Sequence, residues 1–353
     1  MLEGGTRRAH ARVGVGVLLA AVLTACGGKG GEADASASPG VGTSPSPSPA
    51  PAPSSLMPSI DTSKIPARTA GFSVDRVISI TEQPGASDGT GAFRTVCDYS
   101  HMAADDPIVY PRQPGRAHMH TFFGNTDADA YSTATSILSG GNTTCRGGTV
   151  NRSSYWVPTM VDTRTGTPLR PNESNFYYKT GYVVEPGAIK AFPQGLRMIA
   201  GSASATAAND IAKFSCHMAA DTSWKTSIPN CPAGTELWQN IRFPQCWDGV
   251  NLDSPDHKSH MAYPSGNACP STHPVALPEI TFNIVYPVAE TNAPLHWRLS
   301  SDNYPATQPA GYSSHGDWFY GWKPVIVDTW VSECLVKAVD CHSHLLGDGR
   351  AIY

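Results

Sequence analysis

Histidines gathered in short polar motifs are the residues of this chain best equipped for chemistry. AHMHTFFGN (117–125) sets His118 and His120 two apart, and SSHGDWFYGW (313–322) sets His315 and Asp317 at the same spacing. DSPDHKSHMAYP (253–264) carries Asp253, Asp256, His257 and His260, and CHSH ends the series with His342 and His344. On a strand, residues i and i+2 project from one face, so each two-apart pair can aim at one centre.

Two chemistries use these residue types. His118, His120, His257 and His260 with a carboxylate are the vocabulary of a mononuclear centre, which makes a divalent transition metal the implied cofactor. No HEXXH helix motif is present, and no single segment supplies three ligands at a familiar spacing. Without a metal, imidazoles near their ordinary pKa of about 6.5 exchange protons around neutral pH. In that reading His118, His120, His257 and His260 form the centre, Asp256, His315 and Asp317 support it, and Tyr110 or Tyr263 acts as an acid. Arg197 neutralises an anionic substrate group, and Asp248, Asp253 and Asp256 offer the paired carboxylates that glycoside hydrolysis uses. Trp247 beside Asp248, and Trp318 beside Asp317, are the aromatic walls against which a sugar could stack. The remaining tryptophans read as core. No P-loop or dinucleotide glycine pattern occurs, which removes the nucleotide readings.

The elements that must position these residues read as strands. Short runs rich in β-branched and aromatic residues, among them FRTVCDYS, PIVYP, SYWVPTMV, NFYYKTGYVV, GLRMIAG, LWQNIRFP, EITFNIVYPV and WKPVIVDTWV, are punctuated by Gly, Pro, Asn and Asp. That pattern predicts a mainly β chain forming one large sandwich or jelly-roll-like domain over 67–353. Helical periodicity shows only near 127–138 and 206–214. With 30 prolines and 33 glycines, long loops must join the strands.

The N-terminus and the cysteines address compartment. Arg7, Arg8 and Arg12 precede the apolar run VGVGVLLAAVL (13–23), which falls short of the ~20 apolar residues of a membrane span and reads as a signal peptide over 1–25. The following LTAC resembles a bacterial lipobox, with Cys26 as the lipidated residue that would attach the chain to the outer face of the membrane. Residues 26–66 are dominated by Gly, Ser, Ala and Pro and read as an extended, disordered tether. The formal charge of −4 and the lack of any basic run argue against nucleic acid as a partner. Eight further cysteines in an exported chain predict four disulfides, and pairing of sequential neighbours is favoured: Cys97–Cys145, Cys216–Cys231, Cys246–Cys269 and Cys334–Cys341.

The motif series YSHMAADDPIVYPRQPGRAHMHTFFGN, SYWVPTM, GLRMIAG, FPQCWDG, LDSPDHKSHMAYP, CPSTHPVALPEI and SSHGDWFYGW resembles the secreted DUF1996 family over about residues 72–335. The resemblance implies an exported protein of a kind found in fungi and bacteria, some of whose members carry carbohydrate-binding modules. It implies a polysaccharide setting and brings no reaction or residue role with it. Together these readings lead to a surface-tethered protein acting on a cell-wall or extracellular polysaccharide by lyase- or hydrolase-type acid/base cleavage. The alternative is a non-catalytic glycan- or metal-binding surface protein using the same loops.

Overall fold

The computed structural model describes residues 55–218 and 223–353. The predicted signal peptide, Cys26 and most of the predicted tether lie outside the described residues. Among the described residues no helix is long and apolar enough to cross a membrane.

The fold is mainly β. Two five-stranded antiparallel sheets dominate the unit Pro53–Tyr353. The first, here called the back sheet, runs in the order Ala212–Ser215, Glu236–Arg242, Glu279–Pro287, Ser174–Lys179, Ala92–Cys97. The second, the site sheet, runs Tyr99–Ala103, His120–Gly124, Ser154–Pro158, His315–Phe319, Arg197–Gly201. Asp98 separates strand Ala92–Cys97 from strand Tyr99–Ala103, so the chain steps from one sheet to the other within a single residue.

Period-two alternation explains why the sheets face each other. In Ser174–Lys179 the even-numbered residues are buried and the odd-numbered ones are half-exposed. Phe176 and Tyr178 point inward and meet Tyr155 of the site sheet, with ring centroids of Phe176 and Tyr155 4.1 Å apart and the two tyrosine hydroxyls 2.6 Å apart. Phe282 of the back sheet closes the same cluster against Tyr155 and Phe176. This aromatic seam between two aligned sheets makes the core of a β-sandwich.

The outer face of the site sheet is not left to solvent. Phe122, Trp156, Ile199 and Phe319 project from it into a second, smaller cluster that Ile108, Ala128 and Ile137 complete from covering loops. Four disulfides pin the loops: Cys97–Cys145, Cys216–Cys231, Cys246–Cys269 and Cys334–Cys341.

Three segments depart from expectation. PIVYP (107–111) forms turns rather than a strand, because Asp106 Oδ1 accepts the N–H groups of Ile108 and Val109 and curls the chain back. WKPVIVDTWV is helical over Pro324–Trp330 and continues as a π-turn, Val331–Leu335. Pro324 at the first helical position fits that start, and Ile326, Val327 and Trp330 are the residues it buries. The expected helix in 206–214 is absent; Ala212–Ser215 instead edges the back sheet. The other expected helix survives only as Ala134–Ser139, capped by Thr133. Residues 55–66, compositionally part of the tether, run along the folded unit: Leu56 N–H donates to Asn303 Oδ1, Asp61 N–H to the Gly166 carbonyl, and Tyr99 Oη–H to the Pro66 carbonyl.

Candidate metal centre

Sheet register brings the distant histidine motifs together. His120 pairs with Pro158 across one edge of strand Ser154–Pro158, and Asp317 pairs with Trp156 across the other. Extending the second register by two residues brings His315 level with Pro158, so His120 and His315 flank the same proline on one face. The next row on that face is Phe122, Trp156 and Asp317. Pairing with His315–Phe319 stops at Trp156, two residues short of Pro158, which has no N–H to offer a ladder. His118 sits two residues before His120, at the entry to its strand. One ring nitrogen each from His118, His120 and His315 lies within 4.8 Å of the others. The ring centroids are 4.2 Å apart for His118 and His120, 5.0 Å for His118 and His315, and 5.7 Å for His120 and His315.

The outer hydrogen bonds fix how two of these rings point. His120 Nδ1–H donates to the Asp105 carbonyl at 2.9 Å, and His315 Nδ1–H donates to the Ser313 carbonyl at 2.8 Å. Each ring is thereby held in the tautomer whose Nε2 carries a lone pair, an arrangement typical of metal-ligating histidines. His118 Nε2 and His120 Nε2 are buried and meet no hydrogen-bond partner. An unsatisfied buried polar atom costs about 1–3 kcal/mol, so two in one cluster call for a partner, and a cation accepting both lone pairs is the chemical fit. Burial also pushes the His120 pKa down to about 3 and the His315 pKa to about 4, with the neighbouring imidazole adding to the shift at His120. Burial, His120 and His315 lower His118 as well. Neutral imidazole is the ligating form.

Carboxylates stand beside the cluster without completing it. Asp317 is 1% exposed, and its Oδ2 lies 3.9 Å from His315 Nε2 with no hydrogen-bond partner. Burial and the charge of Asp106 raise its pKa well above the usual carboxylate range, against an opposing pull from Lys258. Asp106 is itself buried and raised by desolvation. A cavity of about 270 Å³ opens over the cluster, with Tyr110, His257 and Lys258 among the residues around Asp106, His118, His315 and Asp317.

The 253–264 loop forms one wall of this cavity but contributes no ligand to the cluster. His257 lines it in a left-handed backbone conformation, φ 59°, unusual for a residue with a side chain. Its Nδ1–H donates to Asp253 Oδ1, and Asp253 Oδ2 takes the Arg197 guanidinium at 2.9 Å. Arg197 is thus committed to an ion pair, and its guanidinium lies over the Phe319 ring. Asp256 lines the cavity while its Oδ1 accepts from Ser254 Oγ, Ser259 Oγ and the Ser259 N–H, and these bonds hold its pKa down. His260 is 1% exposed with both nitrogens occupied: Nε2–H donates to the Arg197 carbonyl, and Nδ1 meets Ser254 Oγ. It pins the loop to strand Arg197–Gly201 and lies outside the three-histidine cluster.

The sequence-predicted walls lie elsewhere. Trp318 alternates to the opposite side of its strand from Asp317 and is wholly buried in the main core against Phe192. Asp248 closes a turn by accepting the N–H groups of Val250 and Asn251, and Trp247 Nε1–H donates to the Asn251 carbonyl in the same turn. Tyr263 Oη–H donates to the Arg242 carbonyl on the back sheet. Asp106 and Lys258 belong to the cavity but were not picked out from the sequence. The doubled carboxylate DD immediately after MAA, ahead of the HMH motif, was the available signal for Asp106.

No curated protein and no solved structure matches the chain. The family model for a domain of unknown function, DUF1996, matches residues 106–322, a span containing all three clustered histidines and the carboxylates Asp106 and Asp317. That match covers more than half of the sequence, and the chain belongs to the DUF1996 family.

Proposed function

We propose that this DUF1996 protein holds a divalent transition metal on His118, His120 and His315 and uses the cavity above it to cleave an extracellular or cell-wall polysaccharide. The observation that carries the reading is the convergence of three imidazoles from two distant motifs, two of them locked by Nδ1–H bonds to carbonyls. A bound divalent metal would supply Lewis-acid polarisation of a substrate oxygen or activation of a water. His257 remains suited to proton exchange, because its Nδ1–H is committed to Asp253 while Nε2 is the ring nitrogen left for substrate. Asp106 and Asp317 line the same cavity and are the carboxyl groups placed to exchange a proton with a substrate there. This division leaves the three clustered rings as ligands rather than as acids or bases. The extracellular setting rests on the signal-like N-terminus, the LTAC motif at Cys26 and the four disulfides.

The test combines metal analysis with turnover. The purified chain is expected to retain about one divalent metal, and His120→Ala or His315→Ala to lose it. Incubation with uronate-containing and neutral wall glycans should release new reducing ends or an unsaturated-uronate absorbance, and both ligand variants should abolish the signal. Metal retention without turnover on any glycan would move the protein to the binding alternative. Absence of stoichiometric metal after reconstitution would sink the centre itself.

A further inference from the structure

The outer face of the back sheet, on the far side of the sandwich from the histidine cluster, carries a second concave site. Strands Ala92–Cys97 and Ser174–Lys179 turn Phe93, Phe176 and Tyr178 inward. Arg94, Tyr177 and Lys179 therefore face out, with Arg94 opposite Tyr177 and Ala92 opposite Lys179 in the register. A cavity of about 220 Å³ lies over this row, lined by Asp88, Thr90, Arg94, Tyr177, Lys179 and Tyr182 among others. Ala92 occupies the position facing Lys179, and its small side chain leaves room above the sheet.

The Lys179 ammonium here is set by aromatic rings rather than paired with a carboxylate, while Arg94 keeps an ion pair with Asp340 at 3.8 Å. Lys179 Nζ stands 4.8 Å from the Tyr177 ring centroid and 6.0 Å from that of Tyr182, and the Arg94 guanidinium lies 5.2 Å over Tyr177. The neighbouring acids have other duties. Asp88 Oδ1 accepts from Thr90 N–H and Oγ1–H. Asp340 takes the His342 backbone N–H and faces the His342 ring at 3.2 Å, leaving Arg94 at 3.8 Å. Glu279 is the cross-strand neighbour of Lys179, yet its closest cation is Arg242 at 3.9 Å. Among the described residues, Lys179 has no ion pair and no hydrogen bond, although burial is sufficient to lower its pKa. This half-buried ammonium, held between two tyrosines, feels the charges of Glu279, Asp88 and Asp340 but is hydrogen-bonded to none of them, so its three donors are open to a ligand oxygen that reaches them directly.

The rings specify what should carry that anion. Tyr182 is 72% exposed and, with Tyr177, presents flat apolar surface next to the ammonium. A free inorganic ion would use the charge and ignore the rings. A uronate sugar uses both, setting its C–H face on a tyrosine and its carboxylate against Lys179 and Arg94. We infer that the Arg94–Tyr177–Lys179–Tyr182 cluster is a binding site for uronate-bearing glycan, separate from the histidine centre and independent of whether that centre turns anything over.

Affinity electrophoresis of the intact chain through native gels containing polygalacturonate, neutral dextran or polyphosphate tests this. The chain should be retarded by polygalacturonate and not by dextran. Lys179→Met, which keeps an apolar stem of similar length, and Tyr182→Ala should each weaken the apparent Kd by roughly 10- to 100-fold, the scale of one good polar or stacking contact. Arg94→Met should weaken it in the same direction. Thermal melts of each variant separate lost binding from lost folding, and an unfolded Lys179→Met variant leaves Tyr182→Ala to decide. No retardation of the parent chain by polygalacturonate overturns the inference. So does retardation that survives both Lys179→Met and Tyr182→Ala, and so does equal retardation by polyphosphate that is indifferent to Tyr182→Ala.

Discussion

At the residue scale, what distinguishes one histidine from another is what its second nitrogen meets. His101 and His260 each use both nitrogens inside the protein: His101 on the Ala128 carbonyl and Ser100 Oγ, His260 on the Arg197 carbonyl and Ser254 Oγ. His120 uses one and leaves the other buried and bare. His260→Ala should therefore destabilise the fold by roughly 1–3 kcal/mol, because the part-buried Arg197 carbonyl loses its donor, while metal stoichiometry stays that of the parent. Chemical denaturation together with metal analysis would check this; lost metal with unchanged stability is the contrary result. The spacing of His118 and His120, and of His315 and Asp317, was legible because period two is written directly in sequence. The demotion of His260 was not, since its partners are a carbonyl on another strand and a serine whose role depends on the loop's turn. Asp317 supports a second prediction. Burial and the Asp106 charge raise its pKa in the metal-free fold, whereas an unfolded chain releases that proton near the ordinary carboxylate pKa of about 3.9. Its folded pKa is raised, so the stabilisation its proton brings is full below the unfolded value of about 3.9 and is lost progressively as pH rises toward the folded pKa. Asp317→Asn has no such proton to lose. In metal-stripped protein its Tm should gain on the parent's as pH rises from about 4 to 8, and parallel curves would show that Asp317 is already ionised.

At the element scale the site depends on rows across the sheet rather than on any one strand. Gly316 shows how closely the rows are held. It lies between His315 and Asp317 on the side facing the core, where an added Cβ would stand 3.1 Å from the Phe282 ring and 3.2 Å from Phe243. Gly316→Ala must push the strand outward or displace those rings, a change expected to cost about 1–3 kcal/mol. Because His315 and Asp317 ride on the same backbone, metal affinity should also fall by about tenfold or more, measurable by competition with a chelator. Affinity unchanged alongside lowered stability would mean that the core, not the strand, absorbs the methyl. Strand positions could be read from sequence wherever alternation or a continuous buried run was clean, as in 174–179 and 279–287. PIVYP and WKPVIVDTWV look equally strand-like by composition. Their fate was decided by the Asp106 side chain capping a turn and by Pro324 opening a helix, local signals that β-branched content outweighed.

At the scale of the whole molecule, the sandwich separates the two candidate sites onto opposite outer faces, and the covalent ties are placed where the sheets are joined. Cys97 ends a back-sheet strand and bonds to Cys145, in a segment that touches both sheets: Arg146 N–H donates to the Val96 carbonyl on one side, and Thr144 N–H to the Gly124 carbonyl on the other. Gly124 ends the strand that begins at His120. Cys334–Cys341, by contrast, closes a short loop after the C-terminal helix. The sequence separations are 48 and 7 residues, and all four cysteines are fully buried, so paired Cys→Ala changes remove comparable surfaces and differ mainly in loop length. Loop-closure entropy then predicts losses of roughly 4 kcal/mol for the Cys97/Cys145 pair and roughly 2.4 kcal/mol for the Cys334/Cys341 pair. The larger loss is a substantial part of the ~5–15 kcal/mol that holds a typical domain together. The first double variant should therefore melt markedly lower than the second. Because the segment at 143–146 also holds the strand that begins at His120, the same variant should bind metal more weakly at temperatures where it remains folded. Calorimetry of both variants, with metal titration below the transition, reads both effects. A reversed order of Tm would show that native packing around Cys334 and Cys341, rather than chain entropy, governs the contribution of the disulfides.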